Sequence, residues 1–136
     1  MHKTSLLRRT TIATAALVAA LTLAACGGGS AVNTVNAADF AKQAQTPGVT
    51  VVDVRTPAEY AAGHIQGAIN IDVEGSSFNA DIAKLDKTRT YAVYCHSGRR
   101  SGIATSAMAD AGFTSIYNLD GGILSWQAAG GPLVTN

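Results

Sequence analysis

Two cysteines are all that this 136-residue chain contains, and one tryptophan. A disulfide framework of the kind that staples small secreted domains is excluded at that count. Charge is scarce and almost balanced, with ten basic and nine acidic residues. No long basic run exists, so nothing points to nucleic acid as a partner. Internal repeats are absent, and no His/Cys/Asp/Glu cluster has the spacing of a metal site. The one extended apolar stretch, Ile12 to Ala25, falls short of the ~20 residues a spanning helix needs. What remains is length enough for a single domain once any leader is removed.

The leader is legible. Lys3, Arg8 and Arg9 give a positive start, the apolar stretch follows, and Leu23-Ala24-Ala25-Cys26 resembles the bacterial lipobox, in which the cysteine is lipidated. Residues 1–25 therefore read as a lipoprotein signal peptide, leaving an exported protein anchored by lipid on Cys26 and facing outside the cytoplasm. The competing readings are an ordinary secretory signal in which Cys26 is incidental, or an uncleaved anchor. A twin-arginine signal at Arg8-Arg9 is poorly matched by Thr10, Thr11 and Ile12. Cleavage removes three of the ten basic residues and no acidic one, so the mature part is mildly acidic. Such a domain has no general attraction to anionic lipid, and membrane attachment falls to the acyl chains. Gly27-Gly28-Gly29-Ser30 continues as a flexible tether, with residues 26–33 assigned to the lipidated cysteine and tether and 34–136 to the domain.

Beyond the tether, strand and helix patterns alternate. A helix opens at Asn36 or Ala37 and ends at Thr46-Pro47-Gly48. Val49 to Val54 is a β-branched run suited to a strand buried on both faces. Thr56 caps a short helix with Pro57 at its first position, running to Gly63. Ala68 to Ile71 is a short strand, Phe78 to Leu85 a helix, and Tyr91 to Tyr94 a third strand. A helix from Ser101 to Ala111 follows, with Ile103, Ala104, Ala107, Met108 and Ala111 facing the sheet. Gly112 ends it. Ser115 to Leu119 is a further strand, and a last helix carries Ile123, Leu124 and Trp126. Met108 and Trp126 sit at core spacing rather than at ligand positions. The expected fold is α/β: a mainly parallel central sheet of four to five strands with helices on both faces. In such folds ligands bind beyond the C-terminal ends of the strands, where both Asp53 and Cys95 fall.

Cys95-His96-Ser97-Gly98-Arg99-Arg100-Ser101 carries the chemistry. It lies between a strand and a helix, so the cysteine stands on a tight turn where unpaired N–H groups of the first helical turn can face its sulfur. The helix dipole and the two arginines favour thiolate over thiol. The bland alternative is a buried structural cysteine.

Four segments, in order, resemble the rhodanese-like sulfurtransferases of single-domain type. They are Val51 to Tyr60, Gly63 to Asn70, the Cys95 loop, and Leu119 to Trp126 with Gly130 and Pro132 after it. The resemblance spans nearly all of Thr34 to Val134. It implies a rhodanese-like fold, no cofactor and no metal, and a sulfur transfer in which Cys95 takes a sulfane sulfur from a small donor such as thiosulfate. A thiol or cyanide acceptor then removes it from the persulfide. Members of this superfamily with a six-residue loop, the span from Cys95 to Arg100, act on sulfur. The related phosphatases use seven residues, which makes phosphatase or arsenate-reductase activity the weaker alternative. A binding module that carries persulfide or docks a partner without turnover is the other.

By the same resemblance, Arg100 braces the loop and neutralises its anion, or is a solvated helix-start arginine. Arg99 faces water or the incoming donor, and Gly98 marks a tight turn or a close approach. Ser97 and Ser101 donate to the persulfide or cap the helix. His96 is a rim residue shaping acceptor access. Asp53 and Arg55 form the site wall, with Arg55 pairing Glu59 or Asp53 beneath the loop, and His64 bonds backbone near the Gly63 turn. A lone thiolate outside the cytoplasm is exposed to over-oxidation, which implies a thiol reductant protein or a sulfur acceptor as partner.

Overall fold

A computed structural model describes residues 29–135; the expected signal peptide and Cys26 lie outside them. Local sequence rules account for the helix starts. Asn36 accepts the Asp39 N–H at 2.9 Å and caps α1, Ala37–Ala44. Thr56 and Glu59 form a reciprocal capping box at α2, Pro57–Ala62, with Pro57 where its missing N–H costs nothing. The remaining helices are α3, Phe78–Ala83, α4, Arg99–Asp110, and α5, Gly122–Ala128.

Five strands, β1 Val32–Val35, β2 Thr50–Asp53, β3 Ile69–Asn70, β4 Thr90–Tyr94 and β5 Ser115–Leu119, form one sheet in the order β1-β5-β4-β2-β3. Every pairing within it is parallel. Side chains alternate to two cores, as a sheet covered on both faces requires. Val52, Val54, Tyr91, Val93 and Ile116 pack against Phe78, Ile82, Ala104 and Met108 of α3 and α4. On the other face Val51, Ala92, Tyr94 and Leu119 meet Phe40, Ile123 and Trp126 of α1 and α5. Met108 and Trp126 are core, as their spacing predicts.

Three features differ from the sequence reading. Val32 and Asn33, assigned to the tether, belong to edge strand β1, paired to Ile116 and Tyr117. The four residues are too few, and too exposed, to show a period of their own. Helix α4 begins at Arg99 rather than Ser101. Its sheet-facing stripe is Ser101, Ala104, Thr105 and Met108, a helical i, i+3, i+4, i+7 set. Ile103 falls opposite that stripe and is 52% exposed.

β2 and β4 lie side by side with Asp53 opposite Tyr94. Asp53 and the residue after Tyr94, Cys95, thus reach the same C-terminal edge of the sheet.

Candidate active site

Cys95 leaves β4 and is 1% exposed. The chain turns over at Gly98, whose φ of +104° is open to glycine and strained for any other residue. A side chain there would also come within 3.3 Å of the Gly121 nitrogen. This turn brings the Gly98 N–H to 3.0 Å from the Cys95 sulfur. Ser101, wholly buried on the first turn of α4, places its hydroxyl 3.4 Å from the same sulfur and donates to the Gly98 carbonyl at 3.2 Å. A hydroxyl can rotate, so Ser101 can accept from the thiol or donate to a thiolate.

These contacts set the acidity of the thiol. Burial pushes it up, and is the largest single influence. Hydrogen bonding from the Ser101 hydroxyl, and then from the N–H groups of Ser101, Gly98 and Ser97, outweighs burial, so the thiol lies below its ordinary value. The N–H groups expected from the sequence are among the leading contributors, with the Ser101 hydroxyl ahead of them, whereas the two arginines expected beside them are not. With the thiol protonated Ser101 accepts from the sulfur and donates to the Gly98 carbonyl; on ionisation its one hydrogen turns to the sulfur.

Arg100 is committed elsewhere. Its guanidinium makes a fork to both Glu59 oxygens at 2.8 Å, with Glu74 at 3.5 Å. Glu59 is the same residue that closes the capping box, accepting from the Thr56 N–H at 3.0 Å and its hydroxyl at 2.9 Å. One carboxylate thereby ties the start of α2 to the start of α4. Arg100 holds Glu59 down to about 2; burial opposes this and the Thr56 bonds assist. Arg100 is in turn raised by Glu59.

Of the two partners expected for Arg55, the structure gives Asp53. The side chains meet at 2.6 Å, both buried, and Arg55 also donates to the Gly63 carbonyl at 2.7 Å. Tyr94 donates its hydroxyl to Asp53 at 2.7 Å and accepts the Ile65 N–H at 3.0 Å. Burial and the Asp53 carboxylate push that phenol well above its ordinary value. Asn70 donates to the Asp53 and Arg55 carbonyls at 3.0 and 2.8 Å. Asp53, Arg55 and Tyr94 thus form a satisfied polar network at the strand ends, with no member touching the sulfur. His64 lies 1% exposed, stacked on Tyr60 with ring centres 3.8 Å apart and Nδ1 2.9 Å from the Tyr60 carbonyl. Its backbone pairs with Val134.

His96, Ser97 and Arg99 are exposed on the rim. Beside them opens a cleft of about 280 Å³, lined by Arg55, Glu59, Gly63, His96, Ile123 and Leu133 among others. Sequence reading missed Tyr94, Asn70 and Glu74, whose roles arise from chain segments that only the fold brings together. A polar Tyr at the end of a buried strand was the one available signal.

Residues 36–129 match the Rhodanese-like domain family. The chain is 40% identical over 70 residues to the thiosulfate sulfurtransferase PspE of Escherichia coli K12, covering 52% of this chain and 67% of that protein. It is 36% identical over 91 residues to a sulfurtransferase of Allochromatium vinosum, covering 67% of this chain and 83% of that one. Among solved structures, a rhodanese-related protein from Thermoplasma volcanium superposes with a TM-score of 0.68 at 35% identity, over 76% of this chain and 99% of the other.

The Glu59–Arg100 fork carries a pH signature. A carboxyl lowered by folding contributes stability that is complete above its unfolded value, here 4.5, and lost as pH falls through its folded value of about 2. Urea midpoints of the wild type are expected to fall more steeply across that window than those of Glu59→Gln. The two should converge towards its acid end. Parallel curves would contradict the assignment.

Proposed function

The chain belongs to the rhodanese-like family as a rhodanese-type sulfurtransferase, and on that premise we propose that Cys95 moves a sulfane sulfur from a thiosulfate-like donor to a thiol or cyanide. The Cys95 thiolate attacks the sulfane sulfur; the S–S bond to Cys95 forms as the donor's sulfur–sulfur bond breaks, and sulfite leaves with the electron pair. The acceptor then attacks the outer sulfur of the persulfide, and the electron pair of the breaking bond returns to Cys95. Donors at the Cys95 sulfur stabilise the attacking thiolate in the first step and the thiolate that leaves in the second. The observation carrying this reading is the Gly98 N–H 3.0 Å from the Cys95 sulfur, with the Ser101 hydroxyl on its other side. No metal is required, since amide and hydroxyl dipoles supply the stabilisation.

We further propose that this transfer takes place outside the cytoplasm, with the domain held to a membrane by lipid on Cys26. The support is the Leu23-Ala24-Ala25-Cys26 sequence behind a basic, then apolar leader. An acceptor thiol or a reductant protein outside the cytoplasm would keep Cys95 from over-oxidation.

Treatment with thiosulfate is expected to add one sulfur atom to the intact mass. Cyanide or a dithiol should remove it, and Cys95→Ser should never acquire it. No gain with any donor would favour a binding module and overturn catalysis.

For the anchor, the full chain made in a bacterial host should partition with the membrane fraction and into detergent, and Cys26→Ser should lose both. Equal partitioning of the two would refute lipidation.

A further inference from the structure

Gly121 and Gly122 open α5 with φ of +72° and +60°. A side chain on Gly122 would stand 2.5 Å from the His96 carbonyl oxygen, 2.6 Å from its carbon and 2.7 Å from the Cys95 oxygen. All three are backbone atoms and cannot swing aside. With that space left open, the Ile123 N–H donates to the Cys95 carbonyl at 2.8 Å and the Leu124 N–H to the His96 carbonyl at 3.3 Å. Both donors belong to the first turn of α5, where no partner exists within the helix.

The consequence reaches the sulfur through peptide geometry. A trans peptide is planar, and its N–H points opposite to its C=O. Drawing the His96 carbonyl onto α5 therefore aims the Ser97 N–H away from α5. That N–H is one of the groups that lower the Cys95 thiol. The next donor along, Gly98 N–H, reaches the sulfur at 3.0 Å.

We propose that Gly122 is a positioning residue for the reacting sulfur: it leaves room for α5 to grip the carbonyls of Cys95 and His96, which turns the loop's N–H groups onto the thiolate. It touches neither donor nor acceptor and acts through the loop. The inference rests on the reading of Cys95 as the transferring thiolate, and deepens it by giving the two-glycine opening of α5 a task.

Gly112 provides a matched control. It also has a positive φ, +99°, but a side chain there would meet only Cδ of the flexible Lys87 side chain at 3.8 Å, and it sits at the far end of α4. Alkylation rate of Cys95 is followed against pH in the full chain, reading the Cys95 peptide by mass. Gly122→Ala is expected to raise the midpoint by about one unit or more, a tenfold loss of thiolate below it, and to slow sulfur loading from thiosulfate in proportion. Gly112→Ala should lower the melting temperature and leave the midpoint unmoved. A folded Gly122→Ala protein with the wild-type midpoint would overturn the proposal. So would a Gly112→Ala midpoint that moves equally, since that would make the effect general strain.

Should Gly122→Ala not fold, amide exchange in the wild type decides. Protection at Ile123 and Leu124 is expected, and exchange as fast as in an open chain would overturn the grip. A wild-type thiol with an ordinary midpoint would instead sink the sulfurtransferase reading, which keeps the two failures apart.

Discussion

A sulfur atom excluded from water is held in a ring of hydrogen-bond donors, and the rest of the structure serves that placement. Burial of Cys95 by itself favours the neutral thiol. The leading groups that offset that cost are dipoles: the Ser101 hydroxyl and the N–H groups of Ser101, Gly98 and Ser97. The amide dipoles among them are fixed by the loop backbone before charge forms on sulfur, and in a water-poor site they act at full strength.

Holding that ring requires supports on each side. The parallel sheet sets Cys95 at the end of β4, next to β2, with Asp53 opposite Tyr94. The Asp53–Arg55–Tyr94 network satisfies its own polar groups where the strands end, so the neighbouring segment Gly63 to Ile65 has a fixed position. Glu59 binds Arg100 to the cap of α2, which keeps α4 from rotating about its N-terminus. From the opposite face of the sheet, α5 reaches the Cys95 and His96 carbonyls. The loop is thus braced from α2 and α5 as well as by its own helix α4. These contacts use the backbone of His96 and Ser97 and leave the side chains of His96, Ser97 and Arg99 exposed on the rim.

Much of this was legible in the residues. The β-branched run ending at Asp53, the apolar run ending at Tyr94, and the Thr56-Pro57 and Gly112 punctuation each obey local rules, and the helices and four strands follow from them. The Cys95 loop announced itself because a cysteine between a strand pattern and a helix pattern has few other uses. What escaped was non-local. Strand β1 exists because β5 offers an edge to pair with, and nothing within Val32–Val35 shows it. Ile103 misled because its hydrophobicity was read before the helix phase, which Ser101 and Thr105 determine. Arg55 had two acidic partners in reach on sequence grounds, and only the fold gives Asp53 to it and Glu59 to Arg100. That division also leaves the amides expected from the loop, joined by the Ser101 hydroxyl, as the leading source of thiol acidity, ahead of the guanidinium charge expected beside them.

The chemistry of the site turns on the ionisation of one thiol. Thiolate absorbance in the ultraviolet, taken as the difference between wild type and Cys95→Ser across a pH titration, isolates it from Cys26. A midpoint clearly below the ~8.5 of an ordinary cysteine is predicted, moving upward in Ser101→Ala. A midpoint at or above ~8.5 would mean that burial prevails over the donors, and would contradict that chemistry.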